Sequence, residues 1–230
     1  MQASNGHATR ISREAMRIAA TSAPEASSST SLVSQKSAAK LQVEHLVQQS
    51  GGSPYRVTEE MASAMKALIA ENPTDEPGKQ TLAMGQGTWE VFYAPHIASL
   101  SSTLGTKFQP IRYILESGSI ASNVFYSSSI IQEGWLSSSG TLLAKDPNTV
   151  EVSFDKFWVD FGSTKLRPTL AEGDAKTGAA GVFDSAVQTI GRAAFFPQFA
   201  LFPVRYLDSD MAVFTFPPLR DSLIAVRKVS

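Results

Sequence analysis

The chain has 230 residues, a formal charge of −1 from 20 basic and 21 acidic side chains, and no cysteine. So even a balance excludes a nucleic-acid binder working by phosphate neutralisation, and the missing cysteines exclude disulfides, thiolate metal sites and cysteine nucleophiles. No apolar run reaches the ~18 residues of a spanning helix, and 43% hydrophobic against 18% charged residues leaves a soluble, aromatic-rich globular protein with one domain and a tail.

Residues 1–40 hold nine Ser and nine Ala, with Arg10, Arg13, Arg17, Lys36 and Lys40 against Glu14 and Glu25. Such a stretch lacks the apolar surface to order itself. Two readings stay open: a disordered tail, or an organelle transit peptide, which shares the Ser-rich, basic, acid-poor composition. Residues 41–230 are then the folded domain, helical over 41–72 and sheet over 87–230.

The first helix is expected over Ala38–Gln49, with Val43, Leu46 and Val47 on one face and Gly51-Gly52 as its stop. The second starts at Thr58, a capping residue, carries Glu59 and Glu60 in its first turn, and is closed by Pro73. Met61, Met65, Leu68 and Ile69 form its apolar stripe, read as core.

Of the 21 aromatic residues only Tyr55 precedes Trp89. From Thr88 the pattern is that of strands: Trp89–Tyr93 ending at Pro95, Ile111–Glu116, Ile120–Tyr126, and then Ile130–Leu136 and Thr141–Lys145 around a predicted turn at Ser137–Gly140. Val150–Asp155 alternates cleanly and Phe157, Val159 and Phe161 continue it; Gly162–Gly181 reads as a long exposed loop; Met211–Phe216 and Leu223–Lys228 close the chain around Pro217-Pro218. Short strands with turn signals and no helical pattern between them indicate a sandwich or barrel.

Reactive chemistry is sparse. There is no Gly-x-Ser-x-Gly elbow, no pair of histidines at ligand spacing and no calcium-loop pattern, so neither a metal nor a cofactor is expected. Gly85-Gln86-Gly87 is read as a turn into a strand, since no helix follows to cradle a phosphate. His96 is the one acid–base candidate, against the blander reading of a solvated loop histidine. Asp208 and Asp210 are read as a turn in which Asp caps backbone amides.

Asn72-Pro73 followed by Gly87-Thr88-Trp89-Glu90-Val91-Phe92-Tyr93 resembles the plastid lipid-associated proteins, the fibrillins or plastoglobulins, in which a helix ends in Asn-Pro and a Gly-x-Trp strand follows. Tyr206-Leu207-Asp208-Ser209-Asp210-Met211 is similar to that family's Tyr-Leu-Asp-x-Asp-Leu segment. Ala212 stands where the family pattern has Arg, and Phe-Pro where it has Arg-Gly. Gly87-x-Trp89 is also similar to the opening signature of lipocalins, where a C-terminal Arg packs over the Trp; Arg227 is the expected counterpart, through a cation–π contact.

The resemblance implies a lipocalin-like antiparallel β-barrel of about eight strands with one or two packing helices, in a plastid protein at thylakoids or plastoglobules. It also implies an apolar partner: a lipid, carotenoid or prenylquinone, held at a membrane or lipid-globule surface without catalysis. The barrel's inward face is expected to include Trp89, Val91, Tyr93, Ile111, Tyr113, Leu115, Tyr126, Val152 and Phe154. Phe195–Pro203 is read as a buried strand or as a mouth lid touching a membrane surface. Two rival functions are a barrel enzyme using Asp208, Asp210 or His96, and a globule coat with a filled interior.

Overall fold

Both N-terminal helices form at their expected places because their caps are satisfied. Ser37 accepts from the Lys40 amide at 3.2 Å to open α1 (Ala38–Gln49), and Thr58 accepts from the Met61 amide at 3.1 Å to open α2 (Glu59–Ala70). Such caps contribute about 1 kcal/mol each. The computed structural model describes residues 37–128, 133–161, 200–219 and 222–230. The tail over 1–36, the predicted loop Gly162–Gly181 and the aromatic run 195–199 lie outside the described residues.

Among the described residues eight strands follow: β1 (Gly87–Tyr93), β2 (Thr106–Glu116), β3 (Ser119–Ser128), β4 (Gly134–Asp146), β5 (Thr149–Phe161), β6 (Ala200–Leu207), β7 (Met211–Phe216) and β8 (Ser222–Lys228). Each pairs antiparallel with the next, and β8 pairs back onto β1. The result is a closed up-and-down barrel, in which every strand has a neighbour on both sides.

Two apolar clusters divide the work. One lies inside the barrel and includes Trp89, Val91, Ile111, Val124, Val152 and Phe154. The other lies outside, where Val43, Leu46, Met61, Met65 and Leu68 of α1 and α2 pack on Phe92, Tyr93, Tyr206, Val213 and Ala225 of β1, β6, β7 and β8. These strands are apolar on both faces because each face meets a different partner. Full burial of a Leu or Met side chain contributes ~1.5–3 kcal/mol, so this outer stripe holds the helices to the barrel.

Two further helices depart from the expectation of uninterrupted strands. α3 (Pro77–Met84) and α4 (Pro95–Leu104) each begin with proline at the first turn, where its missing N–H is not needed. Pro95 therefore both stops β1 and starts α4. Gly105, at φ +60, ends α4 in the left-handed region. α3 lies against the β4–β5 turn: the Gly78 amide donates to Pro147 O at 2.8 Å, and a Cβ at Gly78 would run into the Thr149 amide nitrogen. α4 joins the other ends of β1 and β2, so the helices sit at opposite ends of the barrel.

The predicted turn at Ser137–Gly140 is instead the middle of β4. Small residues occur there because the strands close tightly. A Cβ at Gly140 would collide with Ser153 O, and the β4–β5 register shifts between Ser139 and Gly140. Glycine inside a strand marks such a bulge; read without that context it looks like a turn.

Candidate functional site

A cavity runs through the barrel from Thr81 and Gly85 of α3 to His96 and Ile97 of α4. It leaves about 80 Å³ open to the centres of water-sized spheres, several times the roughly 10–15 Å³ that one water requires. The interior is therefore not filled by side chains.

Of the residues expected to face inward, Trp89, Val91, Ile111 and Tyr113 line this cavity. Leu115, Val152 and Phe154 line it as well. Tyr126 belongs to the same interior cluster without lining the cavity. Tyr93 faces the opposite way, against α1 and α2. The cause is a bulge: Val91 pairs with Val226 but Tyr93 with Ala225, so the β1–β8 register shifts across Phe92 and the alternation slips by one. β7 and β8 supply further lining from Ala212, Phe214, Phe216, Ile224 and Val226. Their alternation is legible in Met211–Phe216, but which face turns inward is fixed only by pairing.

The motif residues serve the frame around the cavity. Trp89 Nε1 donates to Gly85 O at 2.6 Å, fixing the indole against the end of α3. Gly87, at φ +114, brings β1 so close to the chain end that a Cβ would strike Ser230 O. The expected contact of Arg227 with Trp89 does not form. Arg227 pairs with Glu90 across the outer face, N–O 3.2 Å, where Glu90 also holds Arg112 at 2.9 Å. Lys228, the cross-strand partner of Trp89, places Nζ 5.6 Å from the indole centroid instead. Alternation along β8 puts the two cations on opposite faces.

Asp208 and Asp210 form the β6–β7 turn. Asp208 Oδ1 accepts from the Asp210 and Met211 amides at 3.0 and 2.8 Å, and Lys40 of α1 donates to both carboxylates, at 2.6 Å to Asp208. Burial would raise the Asp208 pKa, but hydrogen bonds from Lys40 and Tyr206 outweigh it and bring it to about 2. The same carboxylates, against the opposing effect of burial, raise the Lys40 pKa. Neither aspartate lines the cavity.

His96 does. It sits in the first turn of α4 rather than in a solvated loop, its Nδ1 3.0 Å from Ser222 Oγ and its ring stacked on Phe216 at 5.3 Å, with Phe202 stacked behind at 5.6 Å. Burial lowers its pKa to about 4, so the imidazole is neutral near pH 7. Among the described residues no carboxylate lines the cavity to pair with it, and no group of three His, Asp or Glu side chains is placed to hold a metal.

No known family model matches the chain, and no curated protein matches it. Among the described residues no helix is long and apolar enough to cross a membrane.

Proposed function

We propose that this chain holds an apolar small molecule inside its barrel without transforming it. The observation that carries the reading is the end-to-end cavity, lined among the described residues almost wholly by aliphatic and aromatic side chains and by no carboxylate. An apolar ligand there gains by leaving water, while an acid–base pair has no second member: the aspartates are engaged by Lys40 on the outside, and His96 is neutral and faces hydrocarbon. A globule coat needs no interior space, so the open cavity counts against that rival.

Within this reading, the Asn72-Pro73, Gly87-Thr88-Trp89 and Tyr206–Met211 segments support a fibrillin-like plastid protein. Its ligand would be a lipid, carotenoid or prenylquinone at thylakoids or plastoglobules, with the residues before the Ser37 cap of α1 acting as transit peptide. Mass spectrometry of apolar compounds co-purifying with the protein from native tissue tests the proposal. A single class recovered at stoichiometric amounts is expected. Well-folded native protein that yields no apolar compound would overturn it.

A further inference from the structure

Inside the barrel, one rung of the sheet carries hydroxyls in a row that starts at the cavity-lining Tyr113. Tyr113 on β2 pairs with Trp89 on β1 and with Ser122 on β3, and Ser122 pairs with Ser138 on β4. Adjacent strands lie ~4.8 Å apart, so three hydroxyl-bearing residues span roughly 10 Å of one rung. Ser122 stands between Ile120 and Val124, and Ser138 follows Leu136 by two, all three neighbours being members of the interior cluster. Alternation therefore turns both serines inward.

Both serines have 0% of their surface exposed, and their hydroxyls have no hydrogen-bond partner among the described residues. Tyr113 lines the cavity itself, and its pKa is raised to about 12 by burial alone. A buried hydroxyl without a partner is costly, and folded proteins rarely leave one so without a use. Two side by side, next to a cavity-lining phenol, form a row of donors waiting for an acceptor.

The required chemistry follows. The phenol stays protonated across the physiological range and donates. Among the described residues no lysine or arginine lines the cavity, and Lys228 is engaged by the Trp89 ring, so they leave an ionised head group inside as an unpaired buried charge. A pure hydrocarbon would leave the donors unsatisfied. We infer that the barrel selects a neutral apolar molecule bearing a carbonyl oxygen, seated against the Tyr113–Ser122–Ser138 rung. This rests on the reading that the cavity holds an apolar ligand.

The test uses the full chain and ligands of matched size: 2-nonanone, decane and octanoate. Headspace gas chromatography reads the binding of the two volatile compounds, and octanoate is added as a competitor. The ketone is expected to bind about three- to tenfold more tightly than decane, the range of one good neutral hydrogen bond. Tyr113→Phe should bring the ratio to about one while leaving decane binding unchanged. The double variant Ser122→Ala/Ser138→Ala should reduce the preference in the same direction, and it keeps the test open if Tyr113→Phe does not fold. Equal binding of ketone and decane to the wild-type protein would overturn the carbonyl assignment and leave the cavity reading standing. A preference that survives both variants, or displacement of the ketone by octanoate below its own concentration, would overturn it too. Failure of both volatile ligands to bind would defeat the cavity reading and this inference together.

Discussion

Asn72 Oδ1 accepts a hydrogen bond from the Leu207 amide at 3.0 Å, joining residues 135 positions apart. The same side chain accepts from the Thr74 amide at 3.4 Å and donates to Thr74 O at 3.0 Å, while the Thr74 hydroxyl donates to Leu207 O. The end of α2 is thereby fastened to the end of β6, just before the Asp208–Asp210 turn that grips Lys40 of α1. Asn72→Ala removes every one of the Asn72 bonds and leaves the Leu207 amide without its partner. It should cost about 1–3 kcal/mol, read as a lower urea midpoint with the slope unchanged. A midpoint within error of wild type would show that water replaces the clasp at no cost.

The contact between Lys228 and Trp89 makes a separate prediction. Lys228→Ala should cost under about 1 kcal/mol, the size of a partly exposed cation–π pair, yet change the Trp89 emission because the indole loses its nearest cation. Arg227→Ala should leave that emission unchanged and act only through the Glu90 pairing on the outer face. If Arg227→Ala changes the fluorescence and Lys228→Ala does not, the facing of β8 is reversed.

The sequence carries the elements whose signals are local. The Thr58 cap, the Met61–Leu68 stripe and the clean alternation of Val150–Phe154 depend on neighbours a few residues away, and each forms as expected. The errors lie where a distant strand decides. Tyr93 leaves the cavity because of a bulge set by pairing with β8, Ser137–Gly140 stays extended because β5 approaches closely, and the cation over Trp89 is Lys228 because of register. Pairing with another strand, more than a hundred residues away for β1 and β8, is not written in any local window, so seven of nine expected lining residues meet at the cavity while the facing of Tyr93 could not be read.

Acid should weaken the fold in two separable steps. The folded pKa of His96 lies near 4, below its ordinary 6.5. The unfolded chain therefore binds the extra proton first, and this stability is fully present above pH 6.5 and lost as pH falls towards 4, up to about 3 kcal/mol. Asp208 is also depressed, from 3.8 to about 2. Its contribution is present above pH 4 and lost between about pH 4 and 2, about 2 kcal/mol. Urea midpoints measured at intervals from about pH 8 to 2 read both windows. His96→Gln should flatten the first and leave the second; Asp208→Asn should do the reverse, at a lower overall stability because Lys40 loses a partner at 2.6 Å. A midpoint that is constant from pH 7 to 5 in the wild-type protein would mean that the imidazole is solvated rather than buried.

Filling the cavity separates its emptiness from its role in folding. Ala212 lines the wall on β7 opposite Val226 of β8, and both side chains face the same open volume. Ala212→Leu places added methyl groups into space already paid for by the surrounding barrel, so no cavity has to be created and new dispersion contacts form. Where the leucine fits a staggered rotamer, stability should be unchanged or should rise by about 1 kcal/mol, whereas overpacking would cost ~1–3 kcal/mol. Binding of 2-nonanone, in contrast, should fall by at least tenfold, because the added side chain occupies room of only about 80 Å³. Thermal unfolding and headspace binding on the same preparation give both readouts. A folded Ala212→Leu protein that still binds the ketone at wild-type affinity would place the ligand outside this barrel interior.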